Sequence, residues 1–462
     1  MKKNFVPIAK IINVMMIVLP FLLCWGLYYE PRALTTGFLQ VSLILVAMYM
    51  ITYYHMARRL DGFRFQIAQA RDMAFGQIIA IGVVDCATFL FIWMLSAHFP
   101  HLWPGLIAFT AQCVSSILWA KYAHNLYFKI KPPLKSAVVY DVRQGMENLV
   151  NEYGLEKRYD IQHVYPVEEV LQDMSLLDGH KEVFMCGIHS HERNIILKYC
   201  LSNNMRALVI PRIGDAIMSA AEPIHMLHLP ILDCRRCTLS TEYRLVKRAI
   251  DVLISGIALI LLSPVMLATA LAIKRDGGPV FYKQVRLTKD GKKFNILKFR
   301  SMCVDAEKYS GAVLSAGEND PRITKVGRII RACRIDELPQ LINILKGDMS
   351  LVGPRPERPE IAAEYEKELP EFALRLQVQA GLTGYAQVYG KYNTTPYDKL
   401  LMDLIYIARH SLLEDLCILL ATLKILTSKE STEGIGEEKV ELKYEVRENG
   451  NGGGDKGGVK MT

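Results

Sequence analysis

The apolar residues of this chain are gathered into blocks. Four runs come first, at residues 8–28, 34–54, 73–95 and 102–120, each near the ~20 residues an α-helix needs to cross a bilayer. They predict four membrane-spanning helices. The connections alternate in charge. Lys2, Lys3 and Lys10 accompany the start, and Glu30 and Arg32 share a very short first loop. Arg58, Arg59, Arg64 and Arg71 crowd the second loop, while the third, around "SAHFPH", has no Lys or Arg. Lys121, Lys129, Lys131 and Lys135 follow the fourth run. The positive-inside rule then puts the N-terminus, and the chain after about residue 121, in the cytoplasm. Trp25, Tyr53, Trp93 and Trp103 stand at run ends, where interfacial anchors belong. The first run lacks a small-x-small cleavage site and reads as a retained signal anchor.

The pattern changes after about residue 135. "SAVVYDV", "EVFMCGI" and "RALVIP" read as buried strands, with helical patterns "VEEVLQDM" and "ERNIILKYCLSNN" between them. Alternating strands and helices predict a cytoplasmic α/β domain on a parallel sheet, Rossmann-like in outline, over 129–240. The turn after its first strand, "YDVRQG", lacks the G-x-G-x-x-G that would cradle a dinucleotide.

A fifth apolar stretch lies inside "KRAIDVLISGIALILLSPVMLATALAIKR", 247–275. Its centre, 249–273, is long enough to span. Three readings compete: a fifth crossing, a soluble core helix, and a re-entrant hairpin. Both flanks are basic, so positive-inside offers no orientation for a crossing, and a crossing would put the Lys- and Arg-rich residues beyond 276 outside the cell. Apolar residues cover every face, unlike a soluble helix. Pro264 removes a backbone donor, and the Ser263 hydroxyl can satisfy the carbonyl set free. The expectation is a helix-break-helix re-entrant element with its break at Ser263–Pro264. An α-rich region carries it, over 241–429. The tail, 430–462, is charged, Gly-rich and predicted disordered.

Composition adds less. The chain has 55 Lys and Arg against 47 Asp and Glu, a net charge of +8 that suits anionic headgroups or phosphates. No basic array interleaved with aromatics points to nucleic acid. Ten Cys without framework spacing read as reduced thiols. "CRRC" (Cys234, Cys237) and "CGIHSH" (Cys186, His189, His191) lack a second ligand pair and are read as incidental.

The chemistry is concentrated in "RACRIDELPQLINILKGDMSLVGPRPERP", 331–359. Leu338, Leu341, Ile342 and Leu345 recur as one helical stripe. Pro339 fits only a first turn, so Asp336 and Glu337 stand at or before the helix N-terminus. An Asp there is most often a cap. Here two carboxylates follow Arg328, Arg331 and Arg334, and the helix leads through Gly347 to a rigid turn presenting Arg355. Carboxylates for a divalent cation and arginines for phosphate oxygens are what phosphoryl transfer from a diphosphate requires. The helix dipole would help keep Asp336 ionised, as nucleophile or Mg²⁺ ligand.

"KR..D" before the apolar stretch, its central Ser-Pro, "GGPVFYKQVRLTKDGKKFNILKFRSM", "RIDELPQLINILKGDMSLVGPRP" and "GLTGYAQVYGKY" occur together and in order. This set resembles the bacterial sugar transferase family, the monotopic phosphoglycosyl transferases, over roughly 241–429. The preceding runs and α/β domain resemble its large members.

The resemblance implies a bacterial inner-membrane enzyme with its catalytic domain in the cytoplasm. It would take a UDP-sugar (UDP-glucose or UDP-galactose), undecaprenyl phosphate and Mg²⁺, and form undecaprenyl-diphosphate-sugar and UMP. This would be the first step of capsule, exopolysaccharide or O-antigen-type assembly. Asp336 matches the family's nucleophile, which forms a phosphosugar-aspartyl intermediate, and Glu337 completes the dyad at the metal or acceptor. Arg331 and Arg355 match phosphate-binding positions, Lys298 and Arg300 in "KFRSM" would line the site, and Gln387 in "YAQV" is a further candidate. The alternatives are direct transfer with Asp336 only binding Mg²⁺, or a non-catalytic assembly protein that keeps the fold. Membrane lipid is the implied surroundings, and a bundle with an added domain leaves room for a homodimer.

Overall fold

The computed structural model describes residues 5–34, 39–226, 228–304, 322–390 and 394–427, and a two-residue strand, Lys443–Tyr444. The rest of the tail expected to be disordered lies outside the described residues. The chain forms two compact units. The first takes the residues up to Val139 with Met146–Met185 and Ser190–Leu208. The second takes Tyr140–Gly145, Cys186–His189 and the chain from Val209 onward.

Four apolar helices open the first unit: α1 (Phe5–Cys24), α2 (Leu39–Arg59), α3 (Ala70–Met94) and α4 (Trp103–Ile130). Each is long and apolar enough to cross a membrane. Their outward faces expose Leu23, Leu43, Met94 and Leu118, while Leu45, Tyr49, Ile81 and Ala120 are fully buried. Polar side chains pair inside the bundle. Tyr53 donates to Asn13 Oδ1 at 2.7 Å, and Gln77 Oε1 accepts from Asn13 at 3.2 Å and Ser116 at 2.8 Å. Gln112 Nε2 reaches the Tyr49 hydroxyl at 2.8 Å. Such pairing is how polar groups persist between apolar helices. It also corrects two expected interfacial anchors. Tyr53 is fully buried because its hydroxyl meets Asn13, and Trp25 is 2% exposed with its indole N–H on Ser42. Trp93 and Trp103 remain exposed at helix ends.

The same unit holds a four-stranded parallel sheet of β1 (Leu134–Tyr140), β2 (Tyr159–Pro166), β3 (Glu182–Cys186) and β4 (Arg206–Val209), in the order β2-β1-β3-β4. β3 is buried along its whole length. β2 was not legible in the sequence, because it is an edge strand whose side chains mostly face outward.

The second unit begins with a small helix, Ile213–Met218, whose Ala216 joins the core. Helix α5 (Thr241–Arg275) follows, capped by Ser240, whose side chain accepts from the Tyr243 amide. A break was expected at Ser263–Pro264. Instead the helix continues through it. Pro264 costs one hydrogen bond, that to the Ile260 carbonyl four residues back, and Ser263 Oγ donates to that oxygen at 2.7 Å. An antiparallel hairpin, β5 (Phe281–Leu287) and β6 (Lys293–Phe299), comes next. Then follow α6 (Lys325–Ala332), α7 (Gln340–Lys346) and β7 (Ser350–Val352), which pairs in parallel with β8 (Gly381–Thr383). Helices α8 (Pro396–Arg409) and α9 (Leu412–Thr427) complete the unit. Its core gathers Ile296, Leu341, Ile344, Leu351, Phe372 and Leu404.

Candidate active site

The site is built where α6, β6 and the Gly353–Arg358 turn converge. After α6, Arg334 takes a left-handed conformation (φ 53°) and reverses the chain into a short 3₁₀ turn, Ile335–Glu337. A non-glycine residue there costs free energy and marks a position that tertiary structure enforces. The turn carries the two carboxylates. Helix α7 begins three residues after Glu337, with Pro339 at its N-cap, so the dyad precedes the helix as the Pro339 argument required. The helix ends on Gly347 at φ 91°. The buried positions of α7 are Gln340, Leu341, Asn343 and Ile344; of the expected stripe Leu341 is buried, while Leu338, Ile342 and Leu345 are half-buried. Asn343 rotates the helix by its hydrogen bonds. Its side chain accepts from the Leu297 amide at 2.9 Å and donates to the Asn295 carbonyl at 2.8 Å and Asp348 at 3.0 Å. That locks α7 to β6, the strand bearing Lys298. A lone amide inside the apolar run "LINIL" was the readable signal.

Lys298 Nζ lies 3.0 Å from Glu337 Oε1, and Arg355 Nη2 lies 3.1 Å from the same oxygen. Asp336 is 8% exposed and makes no hydrogen bond among the described residues. The two carboxyls therefore differ. Burial would raise Glu337, but Lys298 and Arg355 together hold it well below the usual carboxylate range. Burial raises Asp336 above its ordinary value; Lys298 opposes this, Glu337 reinforces it, and Arg331 and Arg355 pull the other way. The expected helix-dipole support is overridden by desolvation. Arg331 sits in the last turn of α6, its charge acting on Asp336.

Two expected residues stand apart. Arg300 is 8% exposed and its Nη2 donates to the Ile273 carbonyl near the end of α5 at 3.3 Å, so it supports that helix and has no hydrogen bond to the dyad. Gln387 donates to the Leu382 carbonyl of its own turn at 3.3 Å. Arg375, which no motif marks, also supports the site. Its Nε and Nη2 bind Asp403 at 2.9 and 2.7 Å, and Nη2 also donates to the Arg355 carbonyl at 2.9 Å. An Arg within the apolar "FALRLQV" was its only sequence signal.

Among the described residues no three His, Cys, Asp or Glu gather into a metal-binding group; the dyad offers two carboxylates. Two suffice for Mg²⁺ when substrate phosphates and water fill the remaining positions. Asp336, without a hydrogen bond, fits that role better than Glu337, whose Oε1 already holds two cations.

Fold and site thus define a membrane-type protein whose compact unit holds a carboxylate pair among Lys and Arg side chains, an arrangement suited to anionic substrates. The chain belongs to the bacterial sugar transferase family, whose profile matches residues 242–429. It is 43% identical over 191 residues to the UDP-N-acetylgalactosamine-undecaprenyl-phosphate N-acetylgalactosaminephosphotransferase of Aeromonas hydrophila, covering 40% of this chain and 45% of that one. It is 42% identical over 191 residues to a UDP-glucose:undecaprenyl-phosphate glucose-1-phosphate transferase of Caulobacter vibrioides, covering 40% and 71%. The counterpart so named in Escherichia coli is 40% identical over 184 residues, covering 40% and 39%. The chain spans about half the length of the first of these relatives.

Proposed function

We propose that this protein transfers a sugar-1-phosphate from a UDP-sugar to undecaprenyl phosphate, releasing UMP. The observation that carries this is the unequal dyad: Asp336 free of hydrogen bonds beside a Glu337 held by Lys298 and Arg355. An Asp336 oxygen attacks the sugar-bearing phosphorus, the bond to the bridging oxygen breaks, and UMP leaves with those electrons. The undecaprenyl phosphate oxygen then attacks the aspartyl phosphorus and returns the carboxylate. Covalent catalysis splits one displacement into two. Arg331, Arg355 and Lys298 supply positive charge for the diphosphate. Mg²⁺, held by Asp336 and Glu337, would neutralise further phosphate charge. The relatives' names cover glucose, galactose and N-acetylgalactosamine; UDP-glucose and UDP-galactose are the donors proposed here. Incubation with the UDP-sugar alone should yield a phosphosugar adduct on Asp336 by mass spectrometry. UMP release that survives Asp336→Asn would sink the nucleophile.

The four N-terminal helices would cross the inner membrane, and α5, bent at Pro264 without interruption of its helical run, would enter one leaflet and return. Contacts at both ends of α5 support this. Near its start, Arg248 donates to the Ile344 and Leu345 carbonyls at 2.5 and 2.7 Å, and Asp251 accepts from the Leu351 amide at 3.1 Å. Near its end, Ile273 packs with Phe299 and Ile330. Residues 251 and 273 stand up to about 33 Å apart along a helix, yet both meet the same folded unit. A crossing would put that unit on both sides of the bilayer. Between them Leu253, Ile260, Leu261 and Leu267 are exposed. The test is Asp276→Cys labelling in a background with the exposed Cys86, Cys234, Cys303 and Cys333 replaced by Ser. A reagent confined to the cytoplasmic face should label it. Labelling only from outside would overturn the cytoplasmic site.

A further inference from the structure

A cavity lies at the other end of α7 from the dyad. It encloses about 450 Å³ and shares no lining residue with the dyad. That volume is in the range of small-ligand sites. Gly347 and Asp348 line it where α7 ends, the start of α5 forms one wall, and the turn between β5 and β6 forms another. Its charge is lopsided. Six cationic side chains line it against three carboxylates. The carboxylates are committed: Asp251 to the Leu351 amide, Asp348 to Asn343, and Asp290 to Arg236 at 2.7 Å. Two cations are committed as well, Lys247 to Asp415 at 2.6 Å and Arg248 to the carbonyls of α7. Arg244, Lys289, Lys292 and Lys293 have no acidic partner among the described residues. Bringing four such cations together without an anion is unfavourable.

The cavity also has an apolar border. On α5 the cavity-lining Lys247 is followed at three- and four-residue spacing by Ile250 (37% exposed), Ile254 (40%), Ile257 (50%) and Leu261 (71%), an exposed apolar stripe that continues from that wall. Unpaired cations beside an uncovered apolar helix face suit one kind of ligand: a phosphate group attached to acyl chains. We infer that this cavity binds the phosphate headgroup of an anionic membrane lipid, whose chains lie along the outer face of α5. The site is distinct from the dyad and anchors the start of α5 at the headgroup level. It rests on the reading of α5 as lipid-embedded, but not on the reaction assigned to Asp336.

The test uses the full chain, delipidated in neutral detergent, titrated with short-chain phosphatidylglycerol, short-chain phosphatidylcholine or inorganic phosphate. Binding is read by thermophoresis. Phosphatidylglycerol should bind the wild type, and K289Q/K292Q/K293Q should bind it about a hundredfold more weakly, at about fivefold per cation removed near an anionic surface. R244Q alone should cost about fivefold. D336N should bind the lipid normally, so loss of UMP release with lipid binding intact separates the two readings. Equal binding by phosphatidylcholine would overturn the proposal, since only the apolar face would then be engaged. Inorganic phosphate binding as tightly as the lipid would assign the cavity to free phosphate and overturn the lipid. Unchanged lipid affinity in the triple variant would overturn the site itself.

Discussion

The aim of Arg355 depends on a buried ion pair behind it, and the pair can be separated from the fold's stability. Arg375 is 3% exposed and Asp403 1%. Arg375 spends one face on Asp403, at 2.7 and 2.9 Å, and the Nη2 group also reaches the Arg355 carbonyl at 2.9 Å. Its Nη1 lies 3.6 Å from Glu357. The turn that presents Arg355 to Glu337 is thus held from below. Asp403→Asn leaves the guanidinium buried with only Glu357, at 3.6 Å, as a counter-charge, which puts the cost at the lower end of about 3–5 kcal/mol. At about 2–4 °C per kcal/mol for a unit of 150–250 residues, thermal unfolding in detergent should fall by about 10 °C. Replacing both partners with apolar residues of similar volume, Arg375→Met with Asp403→Leu, should recover most of that loss. It should not recover activity. The Arg355 carbonyl loses its donor, Arg355 is free to drift, and misplacement by about 1 Å can cost about a hundredfold in turnover. The double variant should therefore unfold near the wild-type temperature while UMP release drops by one to two orders of magnitude, mostly in kcat. A stable double variant with full turnover would refute the positioning role. An Asp403→Asn protein that melts like the wild type would refute the buried-pair reasoning.

Other outcomes follow from the same geometry. As the proposed nucleophile Asp336 must be ionised, and its pKa is raised by burial, so activity should fail as pH drops through a value above the ordinary 3.8 for Asp. Lys298→Met removes a charge that lowers that pKa, and the acid limb of kcat/KM against pH should move to higher pH; a move to lower pH would contradict the assignment. A raised folded pKa also means the ionised carboxylate costs folding free energy at neutral pH. Asp336→Asn should therefore be inactive yet no less stable in thermal unfolding. Glu337 has the opposite sign: its folded pKa is depressed. Its stabilisation is present above about pH 4.5 and lost as pH falls through the lower folded value, so Glu337→Gln should destabilise at neutral pH, with the difference shrinking in acid. At Gly327 in α6, an added Cβ would lie 1.9 Å from the Ser301 carbonyl oxygen. Gly327→Ala should push α6, and Arg331 with it, off the strand end, lowering both melting temperature and UMP release.

The elements legible in the sequence were those whose local chemistry and tertiary role agree. The four apolar helices came from length and hydropathy, α7 from Pro339 and Gly347, and the dyad from its place before that helix. What stayed hidden was set by contacts far along the chain. Asn343 interrupts the apolar run "LINIL", and nothing local shows that it joins α7 to residues 295 and 297. Arg375 and Asp403 are 28 residues apart and neither belongs to a motif. Arg300 and Lys298 share one motif, but Arg300 turns to the end of α5 while Lys298 turns to Glu337. Strand alternation says that residues two apart share a face, and it fails here because β6 ends at Phe299. The same contrast explains "KR..D". Lys247, Arg248 and Asp251 look like an approach to the membrane. In the structure each holds α5 to the folded unit, through Asp415, the carbonyls of α7 and the amide of Leu351. The motif thus reads as a fastening for this long apolar helix, and removing it should loosen α5 before it disturbs the dyad. Arg248→Met tests this order. It removes two charge-assisted bonds to carbonyls of α7, worth about 1.5–3 kcal/mol each. Faster proteolysis within α5, at unchanged affinity for the UDP-sugar, is the expected result. A weakened donor affinity with α5 still protected would place Arg248 in the substrate site instead.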